Sequence, residues 1–265
     1  IAKHLSSLDP GAANKVFGLA WQAVSSVEDL FARTVSEAKI GSAWSRLSPR
    51  FGSRVLEEAL KTALGIEDLR TLTAAMVALG LEWARVDEDK LFSLASLIPL
   101  EFSEARLDMF LDAARQAPTG EGKMRLTLAA RQTAEEMSPG LTRDKGFSCI
   151  AGLVSEWAPR EAMKLLDKIS VHNEQARSEV IAAAVRGLAK TNYQQAWDLA
   201  GEIIDLPVKI RTHVFLTGLE PEGQGAWGTK ALEALDKDLK RIDSAEARVE
   251  TALAWSSRRP WKAGG

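Results

Sequence analysis

Apolar residues recur along this chain in two alternating stripes, each with the spacing of one helix face. The first stripe follows an arginine: apolar residues stand three and four positions after it, as Val180 and Ile181 follow Arg177, and again near seven and eight. The second stripe has i, i+3, i+4, i+7 spacing and recurs five times, in residues 56–63, 91–98, 130–137, 162–169 and 196–203. Both patterns predict amphipathic helices. We call them helix A and helix B.

The arginines at the start of helix A mark a repeat. Successive members are separated by 34 to 37 residues, and they are Arg33, Arg70, Arg106, Arg143, Arg177, Arg211 and Arg248. A unit of two helices cannot bury both of its faces alone, so neighbouring units must stack. The sequence therefore predicts an all-α fold, an α-solenoid of about six to seven stacked helical hairpins.

The uninterrupted register predicts one elongated domain over residues 1–265. Within it, residues 1–32 are expected to form N-terminal helices, residues 33–247 the repeats, and residues 248–265 an incomplete last hairpin. Ser48-Pro49 indicates an N-cap followed by proline at the first helical position. No segment has the alternating pattern of a β-strand.

The recurring arginine has a structural explanation and a functional one. An ion pair with a neighbouring repeat, or a hydrogen bond to carbonyls of the preceding hairpin, would recur with the repeat period. Alternatively, a ladder of arginines would line one groove and grip an acidic partner. We favour the structural role, because a carboxylate often stands close before the arginine, as Asp68 stands before Arg70.

Composition is that of an ordinary soluble protein. The chain is 46% hydrophobic and 26% charged, with a formal net charge of −2. The sequence leaves the compartment open between cytoplasm and periplasm. Because no apolar run approaches roughly 18 residues, we expect no membrane span. The single cysteine, Cys149, excludes an intrachain disulfide and a cysteine-based zinc site. It falls on an apolar helix stripe, which predicts a buried, unreactive thiol.

Motifs for catalysis are incomplete. Residues 223–228 match G-x-G-x-x-G, but a proline-containing loop precedes them where a dinucleotide site needs a strand. Residues 117–124 resemble a phosphate loop but lack its first glycine and its Ser/Thr. The histidines have no metal-binding spacing, and they are His4, His172 and His213. We therefore predict no catalytic, cofactor-binding or metal-binding residues, and a chain that is not an enzyme.

Three arginines form the first candidate binding surface. Arg46, Arg50 and Arg54 could present one basic face, with Trp44 and Phe51 nearby. Cations interleaved with aromatic rings suit phosphate or single-stranded nucleic acid. The sequence pI of about 6.1 weighs against a nucleic-acid partner, because such proteins carry a broader basic footprint.

Tryptophans form the second candidate surface. Trp83 and Trp157 end helix A and are expected to pack between repeats. Trp255 and Trp261 differ, because no complete hairpin follows to cover them. An uncovered apolar end is a candidate surface for a partner, or for self-association.

The repeat units resemble tetratricopeptide-like and HEAT-like bacterial tandem helical repeats. The matching segments are Arg70 to Trp83-Ala84 with Asp87, Arg143 to Trp157-Ala158-Pro159 with Ala162, and Arg248 to Trp255 with Pro260 and Ala263. The resemblance implies a non-enzymatic scaffold or adaptor that binds a protein or peptide. Two alternatives stay open: a nucleic-acid-binding solenoid, and a regulatory or structural segment of a larger protein or assembly.

Overall fold

The computed structural model of this chain describes residues 9–118 and 120–219, with the isolated positions 233 and 237. Two short 3-10 segments, Leu100–Phe102 and Lys164–Lys168, accompany its α-helices, and no β-strand occurs among these residues. The helices are α1 Pro10–Ser25, α2 Leu30–Ser45, α3 Pro49–Leu64, α4 Leu69–Trp83, α5 Glu88–Leu97, α6 Ser103–Gln116, α7 Glu121–Glu136, α8 Leu141–Val154, α9 Pro159–Met163, α10 Glu174–Leu188, α11 Tyr193–Gly201 and α12 Leu206–Thr217. The predicted all-α fold is confirmed. No described helix is long and apolar enough to cross a membrane.

Helices pack on their neighbours in sequence order within two compact units, Ile1–Met137 and Ser138–Gly265. In the first unit, α2, α4 and α6 are A helices. Each packs against the B helix that follows it, and α2 packs on α4 and α4 on α6. In the second unit, the A helices α8 and α10 pack against the B helices that follow them, and α10 packs on α8 and on α12. This is the arrangement expected of stacked hairpins. The single elongated domain over residues 1–265 stays a prediction.

Capping aspartates determine where several A helices begin. The carboxylate of Asp29 accepts a hydrogen bond from the Ala32 amide at 2.9 Å, and Asp68 accepts one from the Thr71 amide at 2.7 Å. Removing such a cap typically costs about 1 kcal/mol. The arginine lies near the start of helix A, as the sequence suggested, but its exact position varies: Arg70 is the second residue of α4 and Arg33 the fourth residue of α2.

Helix B differs from the prediction in two details. Ser48 is the N-cap of α3 and Pro49 its first residue, as predicted, but the Ser48 hydroxyl makes no capping hydrogen bond. The stripe in residues 162–169 is not one continuous helix. It belongs to the five-residue α9 and to the 3-10 segment that follows, a tightening common at helix C-termini.

Small residues let the helices approach closely, as the stripes predicted. The alanines of the B stripes are at most 3% exposed, namely Ala59, Ala63, Ala95, Ala130, Ala134, Ala162, Ala196 and Ala200. Between α2 and α3, a Cβ built on Gly52 would lie 2.4 Å from Cα of Ser45. Between α4 and α6, a Cβ on Gly80 would lie 2.4 Å from Sδ of Met109. A larger residue at Gly52 would force α2 and α3 apart, because it meets backbone atoms, whereas at Gly80 the Met109 side chain would have to move.

The arginine column ties repeats together in the second unit. Arg177 donates from Nη1 to the carbonyl oxygens of Leu166 and Ile169, at 2.9 and 3.4 Å, just as predicted for the preceding hairpin. Arg211 forms an ion pair with Glu179 of the preceding A helix, with Nη2 2.6 Å from Oε1. The structural role of the column is confirmed at these two positions.

Other members of the column make different contacts. Arg106 pairs with Glu136, at the end of its own helix B, and Arg143 donates to the Lys168 carbonyl oxygen at 3.4 Å. Arg33 pairs with a glutamate of its own helix. Arg248 lies outside the described residues. The arginine thus recurs at one position of the repeat, but the group that it contacts differs from unit to unit.

Two burial predictions are wrong. Trp83 is 3% exposed and packs between helices as expected, but Trp157 is 41% exposed. The helix after Trp157 is only five residues long, so it offers little surface to cover an indole. Cys149 is half-buried, because it lies two residues, and so about 200° around the helix, from the buried Phe147.

Candidate partner-binding groove

The C-terminal ends of α2 and α4 form a cavity of about 370 Å³, which we call the first cavity. Lys39 and Arg46 contribute from α2; because they are seven residues apart, they lie on one helix face. Both are exposed, and neither has an ion pair within residues 9–118 and 120–219. The full lining is Lys39, Ser42, Ala43, Arg46, Glu82 and Arg85. With three cations and one carboxylate, this cavity favours an anionic group.

Arg85 occupies a fixed position in the first cavity. It lies in the turn after α4, with Nη1 2.6 Å from Oε2 of Glu82 in the last turn of α4, and its Nη2 donates to Oε1 of Gln116, on α6, at 2.6 Å. A guanidinium has five N–H donors, so these contacts leave others for a ligand. The side chain therefore bridges two A helices while it still presents donors.

A second cavity of about 350 Å³ lies between α4 and α6, and Arg85 lines this one too. Its walls are largely apolar, and Glu88 is its one carboxylate. The lining is Leu81, Ala84, Arg85, Glu88, Ala113, Gln116, Ala117, Pro118, Gly122 and Leu126. The second cavity therefore suits an apolar side chain beside a charged rim. We call the two cavities together the A-helix groove.

Helix α7 holds the Glu88 carboxylate in place. Arg125 lies with Nη1 3.5 Å from Oε1 of Glu88 and Nη2 2.8 Å from Oδ1 of Asp89. The hydrogen bond with Asp89 raises the pKa of Arg125 above its ordinary value. Gly122 permits the close approach, because a Cβ there would lie 2.6 Å from Oε2 of Glu88.

The groove contains one of the five residues that the sequence singled out. Arg46 lines the first cavity, whereas Arg50 and Arg54 are exposed on α3, with the Arg54 guanidinium 5.8 Å from the centre of the Trp21 ring. A basic face formed by all three arginines stays a prediction. The two tryptophans proposed as a partner surface, Trp255 and Trp261, lie outside the described residues.

Sequence reasoning missed Lys39 and Arg85, although a signal for Arg85 exists. Trp44-Ser45-Arg46 and Trp83-Ala84-Arg85 share a W-x-R pattern 39 residues apart. The same interval separates the capping residues Asp29 and Asp68. Arg46 and Arg85 therefore hold equivalent places at the ends of successive A helices. For Lys39 we find no comparable signal.

Trp44 is a structural residue. Its ring stacks on Phe17 and Phe51, with centroids 5.6 and 5.4 Å away, and its Nε1 donates to Oδ1 of Asn14 at 2.7 Å. With 6% of its surface exposed, it has no free face for a ligand ring. Within the described part of the chain, no three His, Cys, Asp or Glu side chains gather in a way that could hold a metal ion.

No protein-family model matches the chain, and no curated protein matches it. Among solved structures, it is similar to the crystal structure of Ton1535 from Thermococcus onnurineus NA1, at 12% sequence identity. The match covers 93% of this chain and 85% of that chain, with a TM-score of 0.42. At this level of similarity, the match contributes nothing to a functional argument.

Proposed function

We propose that this chain is a non-enzymatic scaffold that binds an extended segment of a protein partner in the A-helix groove. The repeat type that we propose is the tetratricopeptide-like or HEAT-like bacterial one. The observation that carries the proposal is Arg85, which lines both cavities and so makes them one continuous surface. Adjacent packed helices lie about 8–10 Å apart, which sets the spacing between the cavities. An extended peptide rises about 3.3 Å per residue and spans that distance in roughly three residues.

The two cavities favour different side chains. The first has an excess of positive charge from Lys39 and Arg46, while Glu82 offsets Arg85. It favours an aspartate or glutamate. The second is walled by Leu81, Ala84 and other apolar groups, and favours an aliphatic or aromatic residue. The expected partner segment has an acidic residue and an apolar residue about three positions apart, and these two anchors supply most of the binding energy.

A peptide fits the groove better than a polynucleotide does. Glu82 and Glu88 lie within the groove and would repel successive phosphates. Single-stranded nucleic acid is usually held by exposed aromatic rings, and both faces of Trp44 are covered. The formal net charge of −2 provides no overall attraction for a polyanion.

Selection from a random peptide library displayed on phage tests the proposal. The wild-type chain is expected to enrich peptides with an acidic residue and an apolar residue about three positions apart. The variant Lys39→Glu/Arg46→Glu should lose these peptides, because it reverses the charge of the first cavity. Both side chains are exposed, so their replacement should leave the fold intact.

The matched control is Arg50→Glu/Arg54→Glu, which makes the same change in formal charge on α3, outside the groove. It should retain the selected peptides. Equal retention by the groove variant, or no enrichment of such acidic and apolar peptides by the wild type, would refute the proposal.

A further inference from the structure

The first unit has a second surface, at the N-terminal ends of its A helices. The turns that lead into α2, α4 and α6, with the helix residues beside them, expose large apolar side chains. In three cases more than half of the residue's surface is exposed: Leu64 is 58%, Leu97 54% and Leu100 70% exposed. We call this surface the turn edge. Its apolar members are Val27, Phe31, Leu64, Leu69, Leu97 and Leu100.

These exposed residues follow the repeat. Single exposed apolar residues are common on soluble proteins and need no explanation. Here, however, every turn from helix B to helix A in the first unit carries at least one. The second unit has its own exposed residues at the same place in its hairpins, namely Leu141, Val171 and Ile204. The regularity indicates a surface that belongs to the repeat.

The turn segments within the turn edge are also acidic, although the exposed cations Lys61 and Arg70 stand close to Leu64 and Leu69. The turn segments 26–29, 65–68 and 98–102 contain carboxylates and no lysine or arginine, and those carboxylates are Glu28, Asp29, Glu67, Asp68 and Glu101. Asp29 and Asp68 are needed as helix caps. Glu28 and Glu67 cap no helix and are exposed. Capping therefore leaves negative charge that is available for a partner.

A pocket of about 430 Å³ lies within the turn edge, between the start of α2 and the turn before α4. Its lining consists of Asp29, Leu30, Phe31, Gly65, Ile66, Glu67 and Thr71. Apolar walls with carboxylates at the rim match a lysine or arginine side chain. Its aliphatic stem would lie along Phe31 and Ile66, and its charged head would reach Glu67.

We propose that the turn edge binds a basic, aliphatic-rich segment of a partner protein, with one lysine or arginine in the pocket beside Phe31 and Glu67. This partner chemistry is opposite to that of the A-helix groove, so the inference goes beyond the proposed function. Glu28, Glu67 and Glu101 would be repelled by an anionic bilayer surface. They would also repel each other in a symmetric contact between two turn edges, which weighs against a second copy of the chain.

Fluorescence anisotropy tests the proposal with two labelled peptides, one of alternating lysine and leucine and one of alternating glutamate and leucine. The wild-type chain should bind the Lys–Leu peptide, and binding should weaken as salt is added. Replacing two interface leucines in Leu64→Ser/Leu97→Ser should weaken binding by about tenfold or more. The charge-reversal variant Glu28→Lys/Glu67→Lys should have an effect of similar size.

The matched control is Leu19→Ser/Leu128→Ser, which replaces two leucines that are 65% and 61% exposed on α1 and α7, away from the turn edge. It should bind the peptide as the wild type does. The groove variant Lys39→Glu/Arg46→Glu should also bind it, so failure at one surface is distinguishable from failure at the other.

Several outcomes would overturn the proposal. They are no binding of the Lys–Leu peptide, an equal loss in the control and edge variants, and a preference for the Glu–Leu peptide in the groove variant, whose first cavity no longer favours an acidic residue. Flotation with anionic vesicles that only the edge variants abolish would indicate a membrane surface instead. Self-association in sedimentation velocity that only the edge variants abolish would indicate a second copy.

Discussion

Replacing Gly52 by alanine should destabilise the first unit, because the backbones of α2 and α3 meet at this glycine. The added Cβ would lie 2.4 Å from both Cα and N of Ser45, and 2.6 Å from its Cβ. Carbon atoms in favourable contact are about 3.5–4.0 Å apart, so the deficit exceeds roughly 1 Å. Two of the three opposing atoms belong to the backbone, and no side-chain rotation can relieve the contact.

The size of the effect follows from two opposing terms. Overpacking of this kind costs typically about 1–3 kcal/mol. Alanine is also the better helix former, which offsets roughly 1 kcal/mol. Because no side-chain rotation relieves the contact, the upper end of that range applies, and the expected net loss is about 2 kcal/mol in the free energy of unfolding. Because Arg46 follows Ser45 directly, the same displacement should also weaken peptide binding in the first cavity.

The matched control is Gly18→Ala in α1, in the same unit. A Cβ there would lie 3.9 Å from Cη2 of Trp44, an ordinary van der Waals distance. With no clash to offset the better helix propensity, Gly18→Ala should stabilise the chain by up to about 1 kcal/mol. The same chemical change thus has opposite signs at two positions.

Denaturant unfolding followed by tryptophan fluorescence and by far-ultraviolet circular dichroism measures both variants. The chain has two compact units, which can unfold in separate transitions. Gly18 and Gly52 both lie in the first unit, so the effect of Gly52→Ala is measured on the transition that Gly18→Ala shifts. If Gly52→Ala is as stable as the wild type or more so, or if both variants shift the transition in the same direction, the close approach of α2 and α3 is wrong.

Two further predictions concern the arginine column and a helix cap. Arg177→Ala should destabilise the chain by roughly 1–3 kcal/mol, since the carbonyls of Leu166 and Ile169 lose their donor. Arg70→Ala should change the free energy of unfolding by no more than about 0.5 kcal/mol, because Arg70 is exposed. Thermal unfolding of both variants measures the difference, and equal losses of stability would contradict the prediction. Hydrogen bonds from the Thr71 hydroxyl and amide hold the pKa of Asp68 below its ordinary value, so its contribution to stability is present above the unfolded pKa and is lost as pH falls through the folded pKa. Carboxyl NMR titration should give a midpoint below that of a peptide aspartate, and Thr71→Val should raise it; an unchanged midpoint would contradict the assigned cause.

The sequence predicts the helices better than it predicts the surfaces between them. Helix positions follow from one-dimensional signals, namely apolar periodicity and the breakers between stripes, and both survive in the structure. The groove needs three-dimensional information, because Lys39 and Arg85 become neighbours only when α2 packs on α4. Burial of Trp157 was mispredicted for a related reason: the stripe after it does not reveal that α9 stops after five residues. The angular position of a residue on its helix also decides its burial, because Cys149 lies on the predicted apolar stripe but is only half-buried.

The two proposed surfaces share one physical origin, because each places charge where the helix dipole favours it. Carboxylates are stabilised at helix N-termini and cations at C-termini, by about 0.3–1 kcal/mol each at exposed sites. Stacking A helices side by side brings like ends together, so the first unit has the acidic turn segments at one set of ends and Arg46 and Arg85 at the other, although Arg70 of the arginine column stands at the N-terminal end of α4. A formal net charge of −2 conceals this separation. The helix dipole accounts for charge near the termini, but it does not account for the position of Lys39, mid-helix in α2, or for the exposed leucines of the turn edge. Substitutions at Lys39 and at those leucines can therefore change binding without removing a charge that the helix dipole stabilises.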